Sequence, residues 1–155
     1  MGGSLTIKSG AIVTFTGALG LGGTSKIIIE PGAKLVVVTG GLAIQATTSL
    51  VSQGSVAVRA GGFNIQGNAT FTLSGINKDT IIGGAIFNGT SNIKIGVNSD
   101  LYIYGNITGQ SATVKVDGSI SVNGTIFIGW SLAAFYGGSR YNDNWIYFQY
   151  SKFRG

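Results

Sequence analysis

Few residues of this chain could carry acid–base or metal chemistry. Its 155 residues include no histidine and no cysteine, and the acidic side chains are Glu30, Asp79, Asp100, Asp117 and Asp143. Histidine-based triads, thiol nucleophiles and Cys/His zinc sites are therefore excluded. Only the carboxylates remain, and one pair of them draws notice. "GINKDTII" (75–82) and "GVNSDLYI" (96–103) align on their glycines, which predicts Asn77 stacked over Asn98 and Asp79 over Asp100. Two carboxylates about 5 Å apart could serve a retaining glycosidase, or help to hold Ca²⁺. The N-x-D pattern is also an ordinary turn, because both side chains can bond the local backbone. Like charges that close repel each other. The turn is the preferred reading: no catalytic residue and no cofactor are assigned. Asp79 and Asp100 stay as a Ca²⁺ candidate, with no other metal site.

Aromatic chemistry gathers at one end. "WSLAAFYGGSRYNDNWIYFQYSKFRG" (130–155) holds both tryptophans, four of the six tyrosines and three of the eight phenylalanines. Sugars stack on such side chains when Asn, Asp and Arg surround them, so a glycan site is one reading. A cap or an assembly surface is the other. Four sequons, at Asn68, Asn88, Asn106 and Asn123, are possible glycan acceptors in a secretory setting. Asn-Gly turns are the other reading.

Composition narrows the partners. The net charge of +5 comes from scattered basic residues, and only 10% of residues are charged, against roughly 25% in an ordinary soluble domain. No basic stripe interleaved with aromatics precedes residue 130, so nucleic acid is not expected. No apolar run reaches 18 residues, so no membrane insertion is expected. "MGGSLTIKSG" has neither the basic start nor the apolar core of a signal peptide. A mature extracellular or cell-surface form is the expectation. A surface this poor in charge must be covered by Ser, Thr, Asn and Gln, or buried against other copies.

The elements that would position these residues show themselves through glycine. Gly10, Gly32, Gly54, Gly75, Gly96 and Gly118 each follow a short apolar run, at spacings of 22, 22, 21, 21 and 22. After each comes a second run ("AIVTFTG", "AKLVVVTG", "SVAVRAG", "INKDTIIGG", "VNSDLYIYG", "SISVNG") and then a shorter third. Val-, Ile-, Thr- and Phe-rich runs punctuated by Gly, Asn and Ser are strands and turns. A meander needs no constant period, whereas a coil does. The chain is therefore read as an all-β, single-domain parallel β-solenoid of about six 21–22-residue rungs, with three short strands each, over residues 1–129. Equivalent strands would stack about 4.8 Å apart. Glycine at the corner is expected to supply positive φ, and Pro31 fits the same corner. Residues 130–155 form the C-terminal aromatic cap or interface segment.

Phrases such as "LTIKSGAIV", "IIIEPGAKLVV" and "GSISVNGTIFI" resemble the parallel β-helices of bacterial surface adhesins and autotransporter passenger domains. The resemblance covers about four-fifths of the chain. It implies an exported stalk, adhesin or fibre.

Alternate residues of a solenoid strand should be buried, as Val56 and Val58 are expected to be in "SVAVRA". Two runs are apolar on both faces: Ile27, Ile28 and Ile29, and Leu35 followed by Val36, Val37 and Val38. Their outer faces should be covered, by the chain's own tail or by a neighbouring subunit. With them the assembly or cap residues are Trp130, Phe135, Tyr136, Tyr141, Trp145, Tyr147, Phe148, Tyr150 and Phe153. "MGGSL" offers no cap, so the first rung is expected to be bare. One bare end and one aromatic end suit head-to-tail stacking, a contact that does not close. The function expected is a non-enzymatic, self-assembling structural subunit of a filament or surface fibre, a homo-oligomer or homopolymer. The alternative is a carbohydrate-binding adhesin or viral tail-spike module that meets surface glycans.

Overall fold

The computed structural model describes residues 2–128 and 134–136. It is a parallel β-solenoid with three strands per rung. The first rung comprises β1 (Ser4–Ile7), β2 (Ile12–Phe15) and β3 (Leu19–Leu21), and the second β4 (Lys26–Ile29), β5 (Lys34–Val37) and β6 (Leu42–Ile44). The third comprises β7 (Ser49–Ser52), β8 (Ser55–Val58) and β9 (Phe63–Ile65), and the fourth β10 (Thr70–Leu73), β11 (Lys78–Ile82) and β12 (Ala85–Asn88). The fifth comprises β13 (Asn92–Ile95), β14 (Asp100–Tyr104) and β15 (Ile107–Gln110), and the sixth β16 (Thr113–Val116), β17 (Ser119–Asn123) and β18 (Ile126–Ile128). A further strand, β19 (Ala134–Tyr136), pairs with β16, so these three residues of the aromatic segment extend sheet A. From β1 to β16 the path makes about five turns.

Every third strand belongs to the same sheet. Sheet A runs β1-β4-β7-β10-β13-β16-β19, sheet B runs β2-β5-β8-β11-β14-β17, and sheet C runs β3-β6-β9-β12-β15-β18, all pairs parallel. Because side chains alternate along a strand, each sheet sends every second residue inward. Stacked rungs turn those residues into apolar rows: Ile27, Leu50, Phe71, Ile93 and Val114 in sheet A, and Val37, Val58, Ile81 and Ile103 in sheet B, all buried. Phe63 is buried on β9, edge-on to Phe71 with ring centres 4.7 Å apart and edge-on to Phe87 at 6.4 Å.

The corners behave differently from the expectation. Positive φ at the corner between sheets A and B occurs at Gly10 (φ 78°) and Gly32 (φ 76°), but not at Gly54, Gly75, Gly96 or Gly118. Those four need glycine because the preceding rung is too close: a Cβ on Gly54 would stand 2.2 Å from the Ala33 carbonyl oxygen, and one on Gly118 2.1 Å from that of Gly96. Left-handed glycines concentrate instead between sheets B and C, where Gly40–Gly41, Gly61–Gly62 and Gly83–Gly84 stack on successive rungs.

The two doubly apolar runs also divide. Ile27, Ile29, Leu35 and Val37 point inward and are core. They are not available to a partner. Ile28, Val36 and Val38 occupy the outer positions; Val36 is closed from water, at 4% exposure, and the other two are half-buried.

Candidate functional site

The paired carboxylates come apart in the structure. The β11–β14 register sets Lys78 opposite Asp100 and Asp79 opposite Leu101. Glycine alignment is one residue off here, because Gly75 is the second residue of its corner and Gly96 the first of its own. In a strand, one residue of slip reverses the face. Asp79 therefore points into the core, 2% exposed, in the row that Leu35, Val56, Leu101 and Ile120 fill in other rungs. Asp100 lies on the outer face and accepts a hydrogen bond from the Ser119 hydroxyl. Asn77 likewise does not meet Asn98; its amide donates to the Gln53 carbonyl at 3.1 Å. A shared calcium or glycosidase pair at Asp79 and Asp100 is not formed.

Asp79 is the unusual group. Its Oδ1 accepts the Val56 backbone N–H at 2.5 Å. Burial pushes its carboxyl up to about 7, against the opposing pull of the Val56 hydrogen bond. The other described carboxylates have structural partners. Glu30 meets the Lys8 ammonium at 2.6 Å and the Ser9 N–H at 3.1 Å, which holds it below the usual carboxylate range. Asp117 lies 3.3 Å from the Lys115 ammonium. Among the described residues no three acidic groups gather as a metal site would require.

A second feature is the first rung itself. Among the described strands, β1, β2 and β3 each pair on one side only, with β4, β5 and β6. The inward row also stands open there: Leu5 is 39% exposed, whereas Ile27 and Leu50 above it are buried. Val13, Phe15 and Leu21 are only half-buried for the same reason. Ile12, on the outer face of β2, is 67% exposed. Unpaired strand edges beside uncovered core side chains are a template for another β layer.

A third feature is the outer face of sheet B. Tyr102 and Tyr104 project from β14 on the same side, since Leu101 and Ile103 between and beside them are buried. Register sets Tyr102 between Thr80 and Ser121, and Tyr104 between Ile82 and Asn123. Tyr104 is 49% exposed and Ile82 is exposed too. The result is an aromatic strip with hydroxyl and amide groups alongside. The alternation of "DLYIY" carries the sequence signal for it.

Of the sequon residues, Asn68, Asn106 and Asn123 are exposed and Asn88 is half-buried at the end of β12. Asn68 accepts from the Thr90 hydroxyl, and Asn106 accepts the Thr125 N–H at 2.8 Å. Of the aromatic cap residues, Phe135 and Tyr136 lie in β19, opposite Val114 and Lys115. Trp130, Tyr141, Trp145, Tyr147, Phe148, Tyr150 and Phe153 lie outside the described residues, as does Asp143. Compared with models of known families, with curated proteins and with solved structures, the chain matches none.

Proposed function

We propose that this chain is a non-enzymatic structural subunit, extracellular or on a cell surface, which self-assembles end to end into a filament or surface fibre. The observation that carries the reading is the parallel ladder itself, on a chain in which only 10% of residues are charged. Rungs stack here through apolar rows and ladder hydrogen bonds, and both can be offered equally to a rung of another copy. A rung of the same triangular outline is the natural cover, and a second copy supplies one. The contact joins two different ends and so repeats without closing. Light scattering and negative-stain microscopy across a concentration series test it. Fibres or growing oligomers are expected, and Leu5→Lys should suppress them. A monodisperse monomer at every concentration sinks the reading.

A second reading, a carbohydrate-binding adhesin or tail-spike module, is favoured by the Tyr102–Tyr104 strip with Thr80, Ser121 and Asn123 beside it. Sugar rings stack on tyrosine faces while hydroxyl and amide groups fix their orientation. Glycan-array binding that disappears in a Tyr102→Ala, Tyr104→Ala double variant supports this reading. Unchanged binding in that variant removes it.

A further inference from the structure

The joint between the third and fourth rungs departs from the rest of the coil. The corner of the third rung between sheets A and B has two residues, Gln53 and Gly54, while that of the fourth has four, 74–77. Nowhere else among the described rungs does a four-residue corner of this kind follow a two-residue one. The two extra residues displace the start of β11. All four residues of β8 pair with β5, but only Ala57 and Val58 pair with β11. The N–H of Val56 faces the gap and is taken by the Asp79 carboxylate in place of a ladder carbonyl. In the same third rung, at the end of β7, the buried Ser52 hydroxyl has no hydrogen-bond partner.

The surroundings give Asp79 no counter-charge. The inward neighbours are Val56 and Val58 on β8, Leu101 and Ile103 on β14, Phe71 and Leu73 on β10, and Ala85 and Phe87 on β12. The charged residues nearby in the register (Lys78 on its own strand, Arg59 just past β8 and Asp100 on β14) occupy outer positions. A proton on Asp79 makes the group a neutral acceptor that fits the core. An ionised Asp79 must be desolvated or must reach water, and a buried unpaired charge is costly.

We propose that this joint is a proton-governed weak seam: with Asp79 neutral the start of β11 closes on β8, and with Asp79 ionised that segment and its corner open locally. Sheets A and C keep their full pairing at the same level, through β7–β10 and β9–β12, so the opening is confined to sheet B.

Amide hydrogen exchange on the full chain, corrected for intrinsic rates, tests this. With the closed form titrating at about 7 and an open, solvated form near 4, opening should rise about 30-fold between pH 5.5 and 8.5. Protection of the Val56 amide should fall by that factor while the amides of β4 and β5 hold theirs. Asp79→Asn keeps the carbonyl acceptor without the charge, and its Val56 protection should not vary with pH. Asp79→Leu, which matches Leu35 and Leu101 in the row, gives a second charge-free variant with the same expectation. A uniform loss of protection along the coil, no loss at Val56, or a pH effect that survives in both variants would each overturn the seam.

Discussion

Two glycines with nearly the same backbone angle should respond very differently to a methyl group. Gly10 has φ 78° and a Cβ built on it meets nothing within 4 Å. Gly61 has φ 87°, and its Cβ would stand 2.4 Å from the Gly41 nitrogen and 2.6 Å from the Gly40 carbonyl carbon. For Gly10→Ala the cost is the left-handed strain alone, about 1–2 kcal/mol, less roughly 0.4–1 kcal/mol recovered from a stiffer unfolded chain. A net loss of about 1 kcal/mol is expected. Gly61→Ala meets the same strain, and the neighbouring backbone must also retreat. Rungs held about 4.8 Å apart by ladder bonds have little freedom to do so. Retreat strains the bonds from Gly62 N to Ile82 O and from Leu42 N to Gly62 O, both 3.0 Å. Overpacking of about 1–3 kcal/mol plus a weakened hydrogen bond of about 1 kcal/mol brings the loss to at least about 3 kcal/mol. Gly54→Ala completes the set: its φ is not left-handed, but its Cβ would lie 2.2 Å from the Ala33 oxygen. Urea unfolding followed by far-ultraviolet circular dichroism, at a concentration where the wild type is monodisperse, gives the three values. If Gly10→Ala and Gly61→Ala lose the same stability, rung-to-rung approach is not what demands glycine, and the account of the corners is wrong.

Two further predictions concern single positions. Asp79 titrates at about 7 when folded, against about 4 for an ordinary aspartate, so the folded chain holds a proton that the unfolded one has released. Its contribution is whole below about pH 4 and is lost as pH rises through about 7, by about 4 kcal/mol at most. With no histidine in the chain, no other side chain titrates ordinarily between pH 5 and 8. Urea midpoints should therefore fall over that range in the wild type and stay level in Asp79→Asn; parallel curves would refute the assignment. Ala46 has φ 60° in a corner column where Gly23, Gly67 and Gly89 have φ of 68°, 70° and 69°. Ala46→Gly should therefore leave the unfolding free energy unchanged or raise it by up to about 1 kcal/mol, against the usual loss for glycine. A clear loss would count against strain at this corner.

Much of the architecture was legible because the solenoid repeats its instructions. A 21–22-residue glycine spacing, three apolar runs per unit and alternation within "SVAVRA" are local features. Each was enough to predict parallel stacking and to put Val56 and Val58 inside. The contact partners of a rung are the rungs next to it in sequence, so period and topology are nearly the same information. Glycine signals were harder to interpret, since one residue type serves both positive φ and close approach. The doublets at 40–41, 61–62 and 83–84 mark the left-handed corner, whereas four of the six singlets mark close approach.

Register was the part that sequence could not settle. Corners of two residues interrupt corners of four, and the glycine used for alignment changes its place within them. An error of one residue there is invisible in composition, yet it moves a side chain through the sheet. That is why Asp79 and Asp100 look like a pair in the sequence, but stand on opposite faces in the fold. It is also why the apolar runs at 27–29 and 35–38, legible as hydrophobic, could not be divided into core and outer face without the ladder. The sequence by itself determined the coil, its period and its strand count, because those follow from neighbours along the chain. Only the tertiary structure decided which carboxylate is buried, which tyrosines face outward and where the ladder lapses. Those depend on how one rung seats on the next.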